Sequence, residues 1–91
     1  MSLMFPELEA WDAALERVSF PACLGGPTIL CSITASALQR HFGCDALDAL
    51  ACFRLHRHEV EGQALRLICL NRLEPDGSLL IHPNDLGGPF L

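Results

Sequence analysis

Between residues 45 and 73 the chain has helical periodicity with apolar residues on two opposed faces, and this restricts what the rest of the molecule can be. At about 100° per residue, one stripe collects Ala46, Ala49, Leu50, Phe53, Val60, Ala64, Leu67 and Ile68 and is assigned to a core facing a sheet. A second stripe, nearly opposite, runs Leu47, Ala51, Leu55, His58, Gly62, Leu65 and Cys69. A helix apolar on two faces needs two partners. The chain could cover the second stripe itself, with a short preceding helix or through a break at Gly62 that folds the segment back. Alternatively a second copy covers it, with Gly62 permitting close backbone approach, and the stripe is then the seam of a symmetric homodimer. Asp45 is the expected N-cap, and Asp48 in the first turn favours the positive end of the helix dipole.

The sheet that the inner stripe needs is written on either side of this segment. Residues 17–24 and 27–33 alternate around Gly25-Gly26, which reads as a β-hairpin with a two-residue turn. That turn sets Ala22 opposite Ile29, Phe20 opposite Cys31 and Val18 opposite Ile33, so one face is wholly apolar. Cys23 and Cys31 then point to opposite faces and cannot pair. Pro21 has no N–H to offer a ladder, so the first strand is expected at a sheet edge or with a bulge. Thr34 caps a short helix over residues 35–42, with Ala35, Leu38 and Phe42 on one face and Gly43 as its stop. Beyond the long helix, Glu74-Pro75-Asp76-Gly77 is type I turn chemistry, followed by a strand over residues 78–82. Residues 3–5 are read as a further short strand and residues 86–91 as a loose tail.

At 91 residues the chain accommodates one core, and with 51% hydrophobic and 19% charged residues it is expected to fold as a single domain over residues 1–91. Its net charge is −5, its six cations are all arginine, and there is no basic tract to grip a phosphate backbone, which disfavours nucleic acid. No stretch approaches the ~18 consecutive apolar residues of a membrane span, and the first residues lack the pattern of a signal peptide. Five cysteines, none in a C-x-x-C spacing, suggest neither a disulfide framework nor a zinc knuckle. Reduced thiols and a cytoplasmic location are expected.

No nucleophile elbow, P-loop, Rossmann glycine pattern or His-Glu-x-x-His occurs, so no catalytic residue is assigned and no cofactor is expected. His56 and His58 lie about 200° apart on a continuous helix and cannot share an ion. Cys52 and His56, four residues apart, could share one, but the sequence names no further ligand, and no metal site is assigned. A thiol nucleophile, if there were one, would be Cys44, just before a helix N-terminus. Arg54, His56 and Arg57 flank the inner stripe. Their structural reading is a satisfied histidine and an arginine reaching an acidic partner or sheet carbonyls; their functional reading is a small pocket for an anionic ligand.

The order of several segments resembles a family of short bacterial proteins, domain-of-unknown-function family 1488. The resemblance rests on Trp11-Asp12, Val18-Ser19-Phe20-Pro21-Ala22, Cys31-Ser32-Ile33-Thr34 leading through Ala37-Leu38 to His41-Phe42-Gly43, Phe53-Arg54-Leu55-His56-Arg57, and Pro75-Asp76-Gly77-Ser78. It implies a compact α+β domain and supplies no activity, ligand or catalytic residue. The expected architecture is α+β: a small antiparallel sheet, made of the N-terminal hairpin and a C-terminal strand, packed against one short and one long helix. The expected role is a homodimeric binding or assembly module with a protein or small-molecule partner. A transcription-related regulator and a sensor or enzyme with an anion pocket are the alternatives.

Overall fold

The computed structural model describes residues 3–44 and 48–86. Four strands, β1 (Ala10–Asp12), β2 (Arg17–Cys23), β3 (Thr28–Thr34) and β4 (Leu79–Ile81), form one sheet in the order β1-β2-β3-β4. Three helices, α1 (Ala35–Phe42), α2 (Ala49–Leu55) and α3 (Arg57–Cys69), connect β3 to β4, and a 3₁₀ turn (Pro83–Leu86) follows. The α+β class is as expected.

The hairpin has the register that its turn dictates, with Val18 paired to Ile33, Phe20 to Cys31 and Ala22 to Ile29. Gly25 takes the positive φ of 77° that the tight turn needs. Val18, Phe20, Ala22, Cys31 and Ile33 are buried, and Phe20 packs on Phe53 of α2 with ring centroids 5.0 Å apart. The Thr34 hydroxyl accepts a hydrogen bond from the Ala37 N–H at 3.0 Å, and Gly43 ends α1 in the left-handed region.

Strand β1 was not expected, and four further details differ. First, β2 lies inside the sheet rather than at its edge. The Cys23 N–H donates to the Met4 carbonyl, so by strand alternation the nitrogen of Pro21 faces the same side. It meets the gap between the isolated Met4–Cys23 bridge and β1, where residues 5–9 leave the sheet, so its missing donor loses no ladder bond. The expected strand over residues 3–5 is only that single bridge.

Second, β4 pairs with β3 in parallel, at Cys31–Leu79 and Ile33–Ile81, so the sheet is mixed and antiparallel only through β1–β3. The three intervening helices form the crossover that a parallel pair requires.

Third, the long helix breaks at His56, whose φ of −109° and ψ of 24° separate α2 from α3, while Gly62 lies within α3. The break has no proline or glycine. It falls where His56 stacks on Phe42 of α1, so tertiary contact sets it. The helix also ends earlier than residue 73, with Asn71 at a positive φ of 57°. Asp48 occupies the N-cap of α2 without a side-chain cap bond, and Asp45 lies outside the described residues.

Fourth, Leu86 is buried rather than part of a loose tail; residues 87–91 lie outside the described residues.

The inner stripe is otherwise as read. Ala49, Phe53, Val60, Ala64 and Leu67 are buried, and Leu50 and Ile68 pack against the core from its margin. Ala46 lies outside the described residues.

Candidate functional site

The outer stripe of α2 and α3 is exposed in the chain. Leu55 is 78% exposed, Leu65 43% and, just beyond α3, Leu70 58%. Ala51, His58 and Cys69 are exposed as well, and a Cβ added at Gly62 would meet nothing within 4 Å. Leu47 lies outside the described residues. Neither form of self-coverage occurs among the described residues: α1 packs on α2, β3 and the 3₁₀ turn, and α3 does not fold back at Gly62.

Beside this stripe, Arg54 near the end of α2 and Arg57 at the start of α3 converge on one carboxylate. Glu9, in the segment before β1, accepts a hydrogen bond from Arg54 Nε at 2.8 Å and another from Arg57 Nη2. The Arg57 guanidinium lies 5.1 Å from the centroid of the Phe53 ring, and its Nη1 is 3.7 Å from Glu61. Side-chain exposure is only 13% for Arg57 and 10% for Glu9, whereas Arg54 is 58% exposed. The hydrogen bonds from Arg57 and then Arg54 hold the Glu9 carboxyl down to about 2, and the bond to Glu9 pushes the Arg57 guanidinium up. Each arginine thus commits one donor to a carboxylate of the same chain, while the buried Arg57 Nη1 makes no hydrogen bond. His56 does not join them.

His56 instead belongs to a third group. Its ring stacks on Phe42, with centroids 4.1 Å apart and planes 11° from parallel, and its Nδ1 is 3.7 Å from Glu59 Oε1. Cys44, just beyond the Gly43 cap, is disulfide-bonded to Cys52 in α2, with Cα atoms 6.0 Å apart. This pair corrects the expectation of uniformly reduced thiols. Its eight-residue separation matches no motif, and only the turn at Gly43 brings Cys44 back against α2. Donor atoms of Cys44, Cys52 and His56 all lie within 4.8 Å of one another. A cavity of about 220 Å³ adjoins them, lined by Arg40, His41, Phe42, Gly43, His56 and Glu59. His58, two residues on, is 98% exposed and turns toward Glu61 at 3.9 Å, away from His56.

Sequence reasoning had named Cys52 with His56, and Cys44 separately, but nothing in the spacing joined the three. Glu9 was missed as well; a lone glutamate in an irregular segment carries no sequence signal. The remaining cysteines are free. Cys23 is half-buried, Cys69 is exposed, and the fully buried Cys31 thiol is pushed up to about 12 by desolvation, which makes it a poor nucleophile.

Comparison with known proteins places these features in context. The family of proteins of unknown function DUF1488 matches residues 3–81. Over 68 residues the chain is 37% identical to the uncharacterised protein YrdB of Escherichia coli K12, covering 74% of this chain and 80% of that one. YrdB of Shigella flexneri matches over the same shares. The crystal structure of a DUF1488 protein of unknown function from Shewanella loihica aligns with a TM-score of 0.79 at 28% identity, covering 88% of this chain and 91% of that one.

Proposed function

Because the chain belongs to the DUF1488 family of bacterial proteins of unknown function, its role has to come from its own surfaces, and we propose that it is a binding or assembly module working as a homodimer through the outer face of α2 and α3. The exposed line of Leu55, Gly62 and Leu65 carries this reading. Burying a fully exposed leucine side chain stabilises by about 1.5–3 kcal/mol, so covering Leu55 and Leu65, 78% and 43% exposed, in both copies supplies roughly 4–7 kcal/mol. Association costs about 4–15 kcal/mol, so the stripe is of the right order for a dimer with modest help from neighbours such as Leu70.

Charge favours a second copy as the occupant. The chain has a net charge of −5, which sets most of its surface against its own kind, yet Ala51, Leu55, Gly62, Leu65 and Cys69 are uncharged and His58 is the only titratable imidazole among them. Of the flanking carboxylates, Glu61 is 15% exposed and lies between Arg57 and His58, while the half-exposed Glu59 is 3.7 Å from His56. Gly62, lacking a side chain, lets two helices approach closely.

The alternatives find less support. An anion sensor at Arg54, His56 and Arg57 would have to displace Glu9 and bring His56 across α2. A nucleic-acid module needs its arginines on one face and unpaired, whereas Arg54 and Arg57 share Glu9 and Arg72 bonds Asp85 at 3.1 Å. No helix of the described residues is long and apolar enough to cross a membrane. Cytoplasmic residence belongs to the same proposal; the free Cys23, Cys31 and Cys69 support it and the Cys44–Cys52 bond weighs against it.

Light scattering tests the reading. Wild type at micromolar concentration is expected at twice the 9.9 kDa chain mass, and Leu65→Glu at the single mass with an unchanged circular dichroism spectrum. A wild type of single mass would remove the proposal.

A further inference from the structure

Cys44, Cys52 and His56 come from a loop, the middle of α2 and the α2–α3 junction, and the fold brings one donor atom of each within 4.8 Å of the others. We propose that this cluster is a redox-gated site for a thiophilic divalent cation of the zinc type, closed while Cys44 and Cys52 are bonded and open when they are reduced. Two thiolates and an imidazole are a donor set suited to such an ion.

The geometry supports both states. Zinc sits about 2.3 Å from sulfur and about 2.0–2.1 Å from imidazole nitrogen, so tetrahedral donors lie roughly 3.3–3.8 Å apart. The three atoms therefore need only small side-chain rotations once the sulfurs separate. Cys44 can supply that movement because it lies in the loop beyond the left-handed Gly43, while Cys52 is held in its helix. The Phe42 stack fixes the plane of the His56 ring, and the Glu59 carboxylate, 3.7 Å from Nδ1, has only to close by less than about 1 Å to make the hydrogen bond that orients metal-bound imidazoles. A cavity of about 220 Å³ borders the His56 ring, so a water can approach the cluster from that side as fourth ligand. Such a site also accounts for the break at His56: a residue that must face both Phe42 and two cysteines is held off the helical path.

The chemistry balances with one co-reactant, a dithiol reductant. It delivers two electrons and two protons to the Cys44–Cys52 bond and becomes a disulfide itself. The two new thiols then release their protons to solvent as the cation binds. Oxidation and metal loading thus compete for the same two sulfurs.

The test uses the full chain with Cys69→Ser, which removes the exposed thiol, and Zn²⁺ alone as the probe, titrated against a chromophoric chelator. The reduced protein is expected to bind one Zn²⁺ per chain and the oxidised protein none. His56→Ala and Cys44→Ser are each expected to weaken binding by about tenfold or more while circular dichroism stays that of the parent. With Co²⁺ in place of zinc, the reduced parent should show thiolate-to-metal charge transfer that Cys44→Ser diminishes. Failure of the reduced parent to bind, or binding by both variants as tight as the parent's, would overturn the proposal. Should Cys44→Ser fail to fold, His56→Ala decides alone, since His56, 25% exposed, lies outside the buried core cluster.

Discussion

The two faces of α2 and α3 are similar in composition and opposite in circumstance. The inner face sets Phe53, Val60, Ala64 and Leu67 against the sheet with almost no exposure, whereas the outer face leaves Leu55 78% and Leu65 43% exposed. The inner face shows what apolar periodicity specifies when a partner surface of matching register lies in the same chain. The outer face shows the same periodicity without that partner, and on this reading a second copy supplies it. Apolar spacing indicates that a face must be covered; what covers it depends on the rest of the topology.

Substitutions on the two faces are therefore expected to behave differently. The largest effect is expected at Phe53. Phe53→Ala leaves a cavity beneath Phe20 and should lower stability by about 3–5 kcal/mol in urea unfolding. A loss below about 1 kcal/mol would mean that the inner face is less tightly packed than its burial indicates.

Next comes the tie between the end of α1 and α2. Reducing the Cys44–Cys52 bond frees a short loop and should destabilise by about 2–3 kcal/mol, seen as a fall in Tm of about 10 °C or more by calorimetry. In the presence of Zn²⁺ part of that loss should return, by mass action on the reduced state. An unchanged Tm on reduction would show that the Phe42–His56 stack alone holds this corner.

A smaller effect is expected where Glu9 joins the segment before β1 to α2. Its carboxyl is held at about 2, below its ordinary value of 4.5, so the native state binds a proton less readily than the unfolded chain. The stabilisation from ionised Glu9 is therefore complete above the ordinary value and lost as pH falls through about 2. Glu9→Gln should remove this acid limb from the stability profile and lower stability at neutral pH by about 1.5–2 kcal/mol. An acid limb identical in the variant would assign it to other carboxylates.

The smallest effect belongs to the outer face. Leu55→Ser should leave the stability of the isolated chain within about 0.5 kcal/mol, measured at concentrations too low for association. A large loss there would mean that the face is already buried within the chain.

How much of this was legible in the sequence varied with the range of the interactions involved. The hairpin register, the Thr34 and Gly43 caps and the turn at Glu74–Gly77 are local, and residue type alone settles them: the Gly77 N–H bonds the Glu74 carbonyl at 2.9 Å as that turn requires. The inner stripe was legible because burial follows period. The break at His56 was not, since it falls where His56 stacks on Phe42 of α1, a contact between residues fourteen positions apart. Pro21 suggested an edge strand, and only the path of residues 5–9 shows why an inner strand tolerates it. The direction of β4 depends on the route of three helices and has no local signature. Within the candidate sites, an acidic partner was one of the two structural targets open to Arg57, beside sheet carbonyls; the partner is Glu9, 48 residues away, and nothing local points to it.

The central claim is that the outer face of α2 and α3 meets its own copy. The most direct measurement is a filtered NOE experiment on a mixture of differently isotope-labelled chains, which records only contacts between copies. The account predicts intermolecular NOEs linking the methyl groups of Leu55, Leu65 and Ala51 to the partner's chain near Gly62. A mixed dimer whose intermolecular NOEs all arise elsewhere, or a spectrum with none at concentrations well above micromolar, would contradict it.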